Sequence, residues 1–531
     1  MLPGLLIACL LLVLAAGLLS QLAIQPGVDS ITAGNRLLRT IGWTTLQASL
    51  STILSLLIGV LLAWALSHRP RFFGRTFFIA LLSTALVLPT LVVVLGLVTL
   101  LGRSGWLNDV IVLFDGTKIP PFIFGFSGIL IGHCYFNASF AARSLLGRFE
   151  AIPEPQRKLA RSLGLSSWQS FKLIELPAIA ASLPALATTI FLLCFTSFAI
   201  VLTLGGSPKY NTLEVSIYEA IKLDFDLGRA LGLALTQLGI GAVLVALSTR
   251  FMADNSLIAA EQAHSEWGDK TPARILQWTI ITSFSLLFIL PLVAIAVDGY
   301  QSDYIRILLD KDFHRATVTS ISIASISTLL VVAITVAMAS AYTTLATTQR
   351  LGEAAASAII LRLLSFSSAL FLAVPSLVLG LGFFLLARKI GGSYTIWSIC
   401  ALLTANVLMV LPFAFVTLAP AMIKAANRYD KLTFSLGVKG ISRWRLIESV
   451  LLRSELVYIA SIAFCMSLGD LGVIALFGSQ DFVTLPWLLY QKMGSYRTQD
   501  AAGIASFMLL LTVFVFALLP RLFCRRKNAT T

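Results

Sequence analysis

Twelve apolar stretches, each about 20 residues or longer, alternate with short polar segments along the chain. A helix needs about 20 mostly apolar residues to cross a bilayer, so each stretch predicts one membrane-spanning helix. In the first half these spans lie near 2–24, 46–66, 76–102, 122–142, 179–204 and 228–250. In the second half they lie near 274–298, 318–343, 357–386, 395–421, 455–477 and 502–522. The pattern predicts an all-α polytopic membrane protein.

The composition also indicates that lipid is the solvent of this chain. Of the 531 residues, 57% are hydrophobic and 12% are charged, and the mean hydropathy is +0.90. Soluble domains carry about 25% charged residues. The net charge of +14 would suggest nucleic acid as the partner of a soluble protein. Here the basic residues collect in loops between spans, so membrane lipid is the expected partner and nucleic acid is not.

The distribution of Lys and Arg predicts the orientation of the spans, because cytoplasmic loops carry an excess of both residues. The basic segments are 67–75, 143–176, 422–454 and the tail 521–527. We therefore expect both termini in the cytoplasm, although Arg306, Lys311 and Arg315 fall on the opposite side. The first stretch has no Lys or Arg before its apolar core, which favours a retained helix over a cleaved signal peptide.

An internal repeat divides the chain into two halves. A shift of 273 aligns 158–175 with 431–448 at eight positions, which in the first copy are Lys158, Leu159, Ser162, Leu163, Gly164, Leu173, Ile174 and Glu175. Each half contains six predicted spans, an even number, so the two copies share one orientation. The predicted division is a first half 1–251 (core about 41–250), a cytoplasmic linker 252–273 and a second half 274–531 (core about 316–522).

The repeated segment lies in two hydrophilic loops, 150–177 and 423–450. In "KLARSLGLSSWQSFKLIELP" (158–177), Pro155 just upstream predicts the start of a helix and Gly164 its end. Ser166 or Ser167 can cap a second short helix, which carries Trp168, Phe171 and Ile174 on one side. The second copy has Gly437, then Ile441, Trp444 and Ile447 at the equivalent positions. Such a helix could lie on the inner leaflet, but its repetition in two basic loops favours paired docking surfaces for a symmetric partner.

The strip also resembles the EAA loop of bacterial ABC-importer permeases, E-A-A-x3-G-x9-I-x-L-P. The matching residues are Gly164, Ile174, Leu176 and Pro177 in the first copy and Gly437 and Ile447 in the second. The acidic position holds Lys158 and Lys431, and Ser449-Val450 replaces Leu-Pro in the second copy. We call 150–177 and 423–450 the first and second coupling loops.

Further segments, such as "GRSGW" (102–106) and "SLGDLGVIALFGSQDFVTLP" (467–486), are similar to the fused two-copy permeases of the ferric-iron and thiamine uptake group. This resemblance implies two type I ABC-importer permease domains in the bacterial inner membrane. It implies two copies of an ATP-binding subunit, held by the coupling loops, and a periplasmic thiamine-binding protein that docks near 205–227 and 478–500. The implied cargo is thiamine or its phosphates, with ferric iron or another small cation as the alternative.

No motif for chemistry within the chain is present. A phosphate-binding G-x4-G-K-[ST] loop is missing, so any ATP hydrolysis belongs to another subunit. The four histidines and six cysteines have no metal-ligand or disulfide spacing. We expect a transport subunit with no catalytic residues, no cofactor and no metal. An ion-coupled secondary transporter remains the rival class, since it can also show two parallel halves.

Polar residues inside predicted spans are candidates for function. Asp470, flanked by Gly469 and Gly472, is a candidate for the substrate pathway, and its counterpart is Phe198 at a shift of 272 or Ser197 at a shift of 273. A structural Asp bonded to neighbouring backbone is the alternative, and the two glycines would permit close packing or a helix break. Interhelical hydrogen bonds are the expected role of a further set: His133, Asn137 and Asn406. Kinks are expected at Pro89 and Pro375, with Gly96 and Gly382 allowing close packing or flexing nearby.

Overall fold

The computed structural model describes residues 30–116, 120, 122–206, 208–248, 267, 269–350, 374–391, 393–438, 440–479 and 482–524. All regular elements in these ranges are helices, which confirms the all-α prediction. The first predicted span (2–24), residues 249–266 at the start of the linker, and most of the ninth span lie outside the described residues.

The helices are numbered in chain order. Up to residue 248 they are α1 (Ser30–His68), α2 (Arg75–Thr84), α3 (Thr90–Leu101), α4 (Trp106–Asp115), α5 (Phe126–Glu150), α6 (Glu154–Ser162), α7 (Ser167–Ser170), a π-turn (Phe171–Glu175), α8 (Leu176–Ala180), α9 (Leu183–Phe195), α10 (Ala199–Leu204), α11 (Leu213–Lys222) and α12 (Leu227–Ser248).

The remaining helices are α13 (Thr271–Tyr300), α14 (Tyr304–Leu309), α15 (Lys311–Arg350), α16 (Ser376–Ile390), α17 (Tyr394–Ser435), α18 (Gly440–Arg443), a second π-turn (Trp444–Glu448), α19 (Ser449–Leu451), α20 (Arg453–Gly469), α21 (Gly472–Phe477), α22 (Leu485–Gly494) and α23 (Thr498–Cys524).

Eight candidate membrane spans occur in the described residues: Gly34–His68, Thr90–Phe114, Leu227–Ala246, Thr271–Tyr300, Lys311–Ala346, Tyr394–Thr433, Arg453–Phe477 and Thr498–Arg521. A ninth results if Ser167–Ala180 and Leu183–Phe195, which are bent by 65°, form one broken span. The α5 helix covers the fourth predicted span but is not among these eight. The structure therefore contains most of the predicted spans within its described part.

Several predicted spans are interrupted. A continuous third span over 76–102 is wrong, because α2 ends at Thr84 and Pro89 caps the start of α3. Proline lacks the N–H that an unbroken helix would need, so it begins the new helix. Pro375 likewise immediately precedes α16. The fifth span is also discontinuous, since α9 ends at Phe195 and α10 begins at Ala199. The break allowed near Asp470 is confirmed, since α20 ends at Gly469 and α21 begins at Gly472.

The chain forms two compact units, and each combines segments from both halves of the sequence. Of the described residues, those within 34–212 and 247–302 form unit A, and those within 30–33, 213–246 and 303–524 form unit B. In unit A, α13 packs against α3 and α5 packs against α2 and α10. In unit B, α15 packs against α17 and α20, while α11 contacts α16 and α21. The division of the sequence into two repeated halves stays a prediction.

The predicted interhelical hydrogen bonds are present. In unit A, the His133 ring pairs with the Ser51 hydroxyl at 3.0 Å, and Asn137 donates to the Cys194 sulfur at 3.1 Å. In unit B, Asn406 donates to the Ser467 hydroxyl at 2.7 Å. Each bond joins two different helices, as expected for polar groups that must be satisfied inside a bilayer.

Candidate functional site

The first coupling loop folds as local sequence signals predict. Pro153 precedes α6, and Gly164 has a φ of +64° after the end of this helix. Glycine adopts this left-handed conformation without the steric cost that a Cβ would add. Ser166 then caps α7 through a reciprocal pair of hydrogen bonds with Gln169. The predicted helix–bend–helix is confirmed.

The second short helix of this loop is not a regular α-helix. After α7 the chain forms a π-turn over Phe171–Glu175 before α8 begins. The Trp168 side chain is 71% exposed, and its ring stacks on Phe171 with centroids 5.8 Å apart. Ile174 is half-buried. The loop therefore presents two stacked aromatic side chains, Trp168 in α7 and Phe171 at the start of the π-turn.

The second coupling loop has the same local design. Gly437 follows α17 with a φ of +66°, and a π-turn covers Trp444–Glu448. Trp444 and Ile447 are half-buried, whereas the side chain of Ile441 lies outside the described residues. The π-turn recurs at the position expected from the 273-residue shift. Its occurrence in both copies shows that the repeat extends to unusual backbone geometry.

Sequence reasoning missed a set of exposed leucines in the coupling loops. Three pairs of leucines at equivalent positions are between 51% and 67% exposed: Leu159 and Leu432, Leu163 and Leu436, and Leu173 and Leu446. All six are among the repeated identities, and that signal could have found them. Apolar side chains grouped in this way on a polar loop are typical of an interaction surface.

The first coupling loop is attached to distant parts of unit A through His68, the last residue of α1. The His68 Nε2 atom lies 2.5 Å from Glu175 Oε1 in the π-turn, and Nδ1 lies 2.7 Å from Asp269 Oδ2. The side chains of His68 and Glu175 are fully buried, and Asp269 is 4% exposed. Ser167, the first residue of α7, donates to Asp269 Oδ1 at 2.8 Å. One imidazole and two carboxylates thus join α1, the loop and the end of the linker.

Asp269 is the charged centre of this attachment. Burial alone would raise the pKa of its carboxyl, but hydrogen bonds with His68, Gln277 and Ser167 lower it to about 2. Trp267 covers the site from the linker side, since its ring stacks on His68 at 5.0 Å and lies 5.1 Å from the Arg157 guanidinium carbon. We call these residues the His68 cluster: His68, Arg157, Ser167, Glu175, Trp267, Asp269 and Gln277.

The second coupling loop lacks an equivalent attachment among the described residues. Arg443 pairs with Asp430 and with Glu448, both at 2.7 Å, and all three belong to the loop itself. Glu448 is the counterpart of Glu175 at the shift of 273. The two loops therefore share a shape but differ in how their equivalent glutamates are held.

The two pathway candidates both lie at helix breaks. Ser197 is half-buried between α9 and α10 in unit A. Asp470 lies between α20 and α21 in unit B, where its Oδ1 accepts a hydrogen bond from the Gly472 amide at 3.1 Å. Its Oδ2 is buried and has no hydrogen-bond partner among the described residues. The break is thus a repeated feature, while the carboxylate occurs in one half.

The sequence of the chain can be compared with those of known proteins. The family described as binding-protein-dependent transport system inner membrane component matches residues 55–255. The thiamine transport system permease protein of Brucella abortus (strain 2308) is 37% identical over 523 residues, which cover 97% of this chain and 94% of that protein. The corresponding protein of Salmonella typhimurium is 36% identical over 526 residues, 98% of this chain and 96% of that protein.

A shorter relative matches one half of the chain. The sulfate transport system permease protein of Escherichia coli (strain K12) is 28% identical over 246 residues, which cover 46% of this chain and 87% of that protein. This length agrees with a half-chain repeat. The longer relatives match nearly the whole length of this chain. The chain therefore belongs to the family of binding-protein-dependent inner-membrane permeases that includes the thiamine transport system permease proteins.

Proposed function

We propose that this chain is the transmembrane subunit of an ATP-driven importer that carries thiamine or its phosphates from a periplasmic binding protein into the cytoplasm. The similarity over nearly the whole length to thiamine transport permeases is the observation that carries the cargo. The proposal places both termini and both coupling loops in the cytoplasm. Uptake by the reconstituted complex, compared for thiamine, its phosphates and ferric iron, tests the cargo.

The coupling loops are the proposed docking surfaces for two copies of an ATP-binding subunit. Each loop presents three exposed leucines at equivalent positions, and Trp168 adds a large aromatic anchor in the first. Aromatic and apolar side chains that become buried by a partner contribute most of the binding energy at protein interfaces. Two equivalent loops would hold two copies of one subunit. ATP binding and hydrolysis there would shift the permease between outward-open and inward-open states.

Charged substitutions on these surfaces are expected to abolish the association. Leu163→Asp with Leu436→Asp, and Trp168→Asp with Trp444→Asp, would each place a carboxylate in an apolar interface. Removal of one such anchor costs about 2 kcal/mol, which corresponds to about 30-fold in affinity. The measurement is co-purification of the ATP-binding subunit with the membrane-extracted chain.

Phe73→Asp is the matched control, because Phe73 is fully exposed and lies outside both coupling loops. Retention of the ATP-binding subunit by both double variants would refute the assignment of the coupling loops. The single variants Leu163→Asp and Leu436→Asp compare the two loops directly.

Two exposed aromatic residues are the proposed contact points for the binding protein. Among the described residues, only Phe225 and Tyr496 are non-glycine residues with a positive φ, +53° and +57°. They are 80% and 92% exposed, and each lies within three residues of the end of a repeated helix, α11 or α22. Side chains other than glycine lose about 1–2 kcal/mol in this conformation. Strained, solvent-exposed aromatic residues that follow the same repeated helix in both halves support a binding role.

This role predicts opposite effects on stability and on binding. Phe225→Asn and Tyr496→Asn keep a residue that tolerates the left-handed conformation, so the thermal unfolding midpoint is expected to stay the same or rise. The affinity for the thiamine-binding protein is expected to fall by about tenfold or more for each variant. Phe73→Asn serves as the control, and unchanged affinity in the Phe225, Tyr496 double variant would contradict the proposal.

The substrate pathway is proposed to pass the helix breaks that contain Ser197 and Asp470. Breaks inside spans expose backbone groups only where they line a cavity or are buried in protein.

The helices α11 and α22 belong to the segments 205–227 and 478–500. They are largely buried, and Glu214 in α11 has no exposed surface. These helices therefore contribute to the packed interior. The exposed residues that follow them, Phe225 and Tyr496, are the proposed contacts with the binding protein.

A further inference from the structure

A small cavity lies at the helix break of unit B that contains Asp470. Its volume is about 10 Å³, which is about the space of one water-sized sphere. Five polar residues line it: Ser320, Asn406, Ser467, Asp470 and Thr484. Ser320 comes from α15, Asn406 from α17, and Thr484 directly precedes α22. The cavity is therefore assembled from four separate segments of the fold.

Three oxygen atoms of this cavity are buried without a hydrogen-bond partner in the described structure: Asp470 Oδ2, Asn406 Oδ1 and Thr484 Oγ1. Asn406 and Thr484 are 3% and 5% exposed. Buried polar atoms are nearly always paired in native proteins, so three unpaired oxygens at one place require an explanation.

Two nitrogen donors beside the cavity already have hydrogen-bond partners. The Asn406 side-chain amide donates to the Ser467 hydroxyl at 2.7 Å, and the Leu485 amide donates to the Ser320 hydroxyl at 2.8 Å. Because the Asn406 N–H group bonds to Ser467, its carbonyl oxygen is left for another partner. The polar lining thus consists of one carboxylate, one amide oxygen and three hydroxyl oxygens.

The Asp470 side chain has no cationic partner in the described structure. Asp470 follows the C-terminus of α20, a 17-residue helix whose dipole places partial negative charge there. A charge inside a membrane protein is strongly disfavoured unless it is compensated.

From these observations we propose that the cavity binds one monovalent cation of the size of Na⁺. Hard cations of this kind take oxygen ligands, and unwound segments and helix C-termini supply Na⁺ sites inside membrane proteins. A single carboxylate among neutral oxygens fits a monovalent ion better than Ca²⁺, which takes 6–8 oxygen ligands, often from several carboxylates. The described residues contain no cluster of three His, Cys, Asp or Glu that would suit a transition metal.

The bound ion neutralises Asp470 and holds α15, α17, α20 and the residue before α22 together at the break. A water molecule would satisfy some of the oxygens but would leave the carboxylate uncompensated. The cavity is also too small for an organic cation, so the bound ion and the cargo would occupy different spaces at the break that contains Asp470. The ion is a structural element of the fifth span of the second half.

The test uses the purified full-length chain in lipid nanodiscs, without cargo, binding protein or ATP-binding subunit. Thermal unfolding is measured in NaCl, KCl and choline chloride at one ionic strength, together with equilibrium binding of ²²Na⁺. We expect a saturable rise of the unfolding midpoint in Na⁺, because a ligand that binds only the folded state stabilises it by mass action. Thr484→Val is expected to weaken the apparent Na⁺ affinity by about tenfold or more, and Asp470→Asn to abolish binding.

Thr512→Val is the matched control, since Thr512 is a buried threonine of unit B whose hydroxyl bonds to the Met508 carbonyl. It is expected to retain the Na⁺ effect. Equal midpoints of the wild-type chain in all three salts would overturn the proposal, as would undiminished ²²Na⁺ binding by Thr484→Val. If Asp470→Asn does not fold, ²²Na⁺ binding by Thr484→Val still tests the proposal. None of these outcomes involves transport, so failure here leaves the importer proposal untouched.

Discussion

The substitution His68→Leu is expected to lower the free energy of unfolding by about 3–5 kcal/mol, because it leaves two buried carboxylates without their shared partner. The His68 ring contacts Glu175 on one side and Asp269 on the other. Leucine fills a similar volume but cannot donate to either carboxylate. Glu175 Oε2 already lacks a hydrogen-bond partner among the described residues, so the π-turn would lose the one bond that holds this side chain.

The same contacts predict a pH dependence. Asp269 has a pKa of about 2 in the folded chain, below its ordinary value of 3.8. A carboxyl group with a lowered pKa stabilises the fold above its unfolded pKa and loses this contribution as the pH falls. The wild-type chain should therefore lose stability as the pH falls from about 4 to about 2, and the His68→Leu variant should lack this contribution of Asp269.

Thermal unfolding of the purified chain at pH 7, and then as a function of pH, measures both effects. His314→Leu is the matched control, because His314 is exposed and lies outside the His68 cluster. It should leave the midpoint and its pH dependence unchanged. An unfolding midpoint of His68→Leu equal to that of the wild-type chain would show that the His68 cluster does not hold the first coupling loop.

The substitution Gly96→Val is expected to destabilise unit A by about 3 kcal/mol, because the two helices α3 and α13 approach too closely for any side chain. A Cβ atom at Gly96 would lie 2.4 Å from the Pro291 carbonyl oxygen, well inside contact distance. The obstacle is backbone, so it cannot move aside as a flexible side chain would. The close packing predicted at this glycine is confirmed.

The helix α13 cannot retreat from this clash without further loss. Tyr135 of α5 stacks on Phe288 with ring centroids 4.5 Å apart and donates its hydroxyl to the Phe288 carbonyl at 2.8 Å. Both contacts lie within one helical turn of Pro291. Movement of α13 away from α3 would therefore strain an aromatic stack and a buried hydrogen bond.

Monodispersity and thermal unfolding in detergent measure this effect. Gly42→Val is the matched control, because Gly42 also lies in a helical candidate span, and nothing outside the backbone of its own helix lies within 4 Å of the position that a Cβ would take. Gly42→Val should cost only the small helix-propensity difference between the two residues. If Gly96→Val unfolded at the same temperature as Gly42→Val, the close contact between α3 and α13 would be refuted.

The apolar pattern and the repeat were sufficient to predict the helical class, most spans and the form of both coupling loops. These features are local, since twenty apolar residues, a glycine at a bend or a serine cap act within a few positions of the chain. The break at Asp470 was also within reach, because the glycines beside it allowed one, whereas nothing beside Ser197 indicated the break in the first half. The prediction of a continuous third span was wrong because Pro89 lies at the start of a new helix and not inside one.

The His68 cluster and the oxygen-lined cavity were beyond sequence reasoning. His68 lies 107 positions from Glu175 and 201 from Asp269, and no periodicity connects residues so far apart. The identities of the six coupling-loop leucines were visible in the repeat, but their exposure was not, because burial depends on every segment packed nearby. The sequence alone determined which segments become helices and where they bend. Only the tertiary structure decided which polar groups meet, because those contacts depend on distant segments packing together.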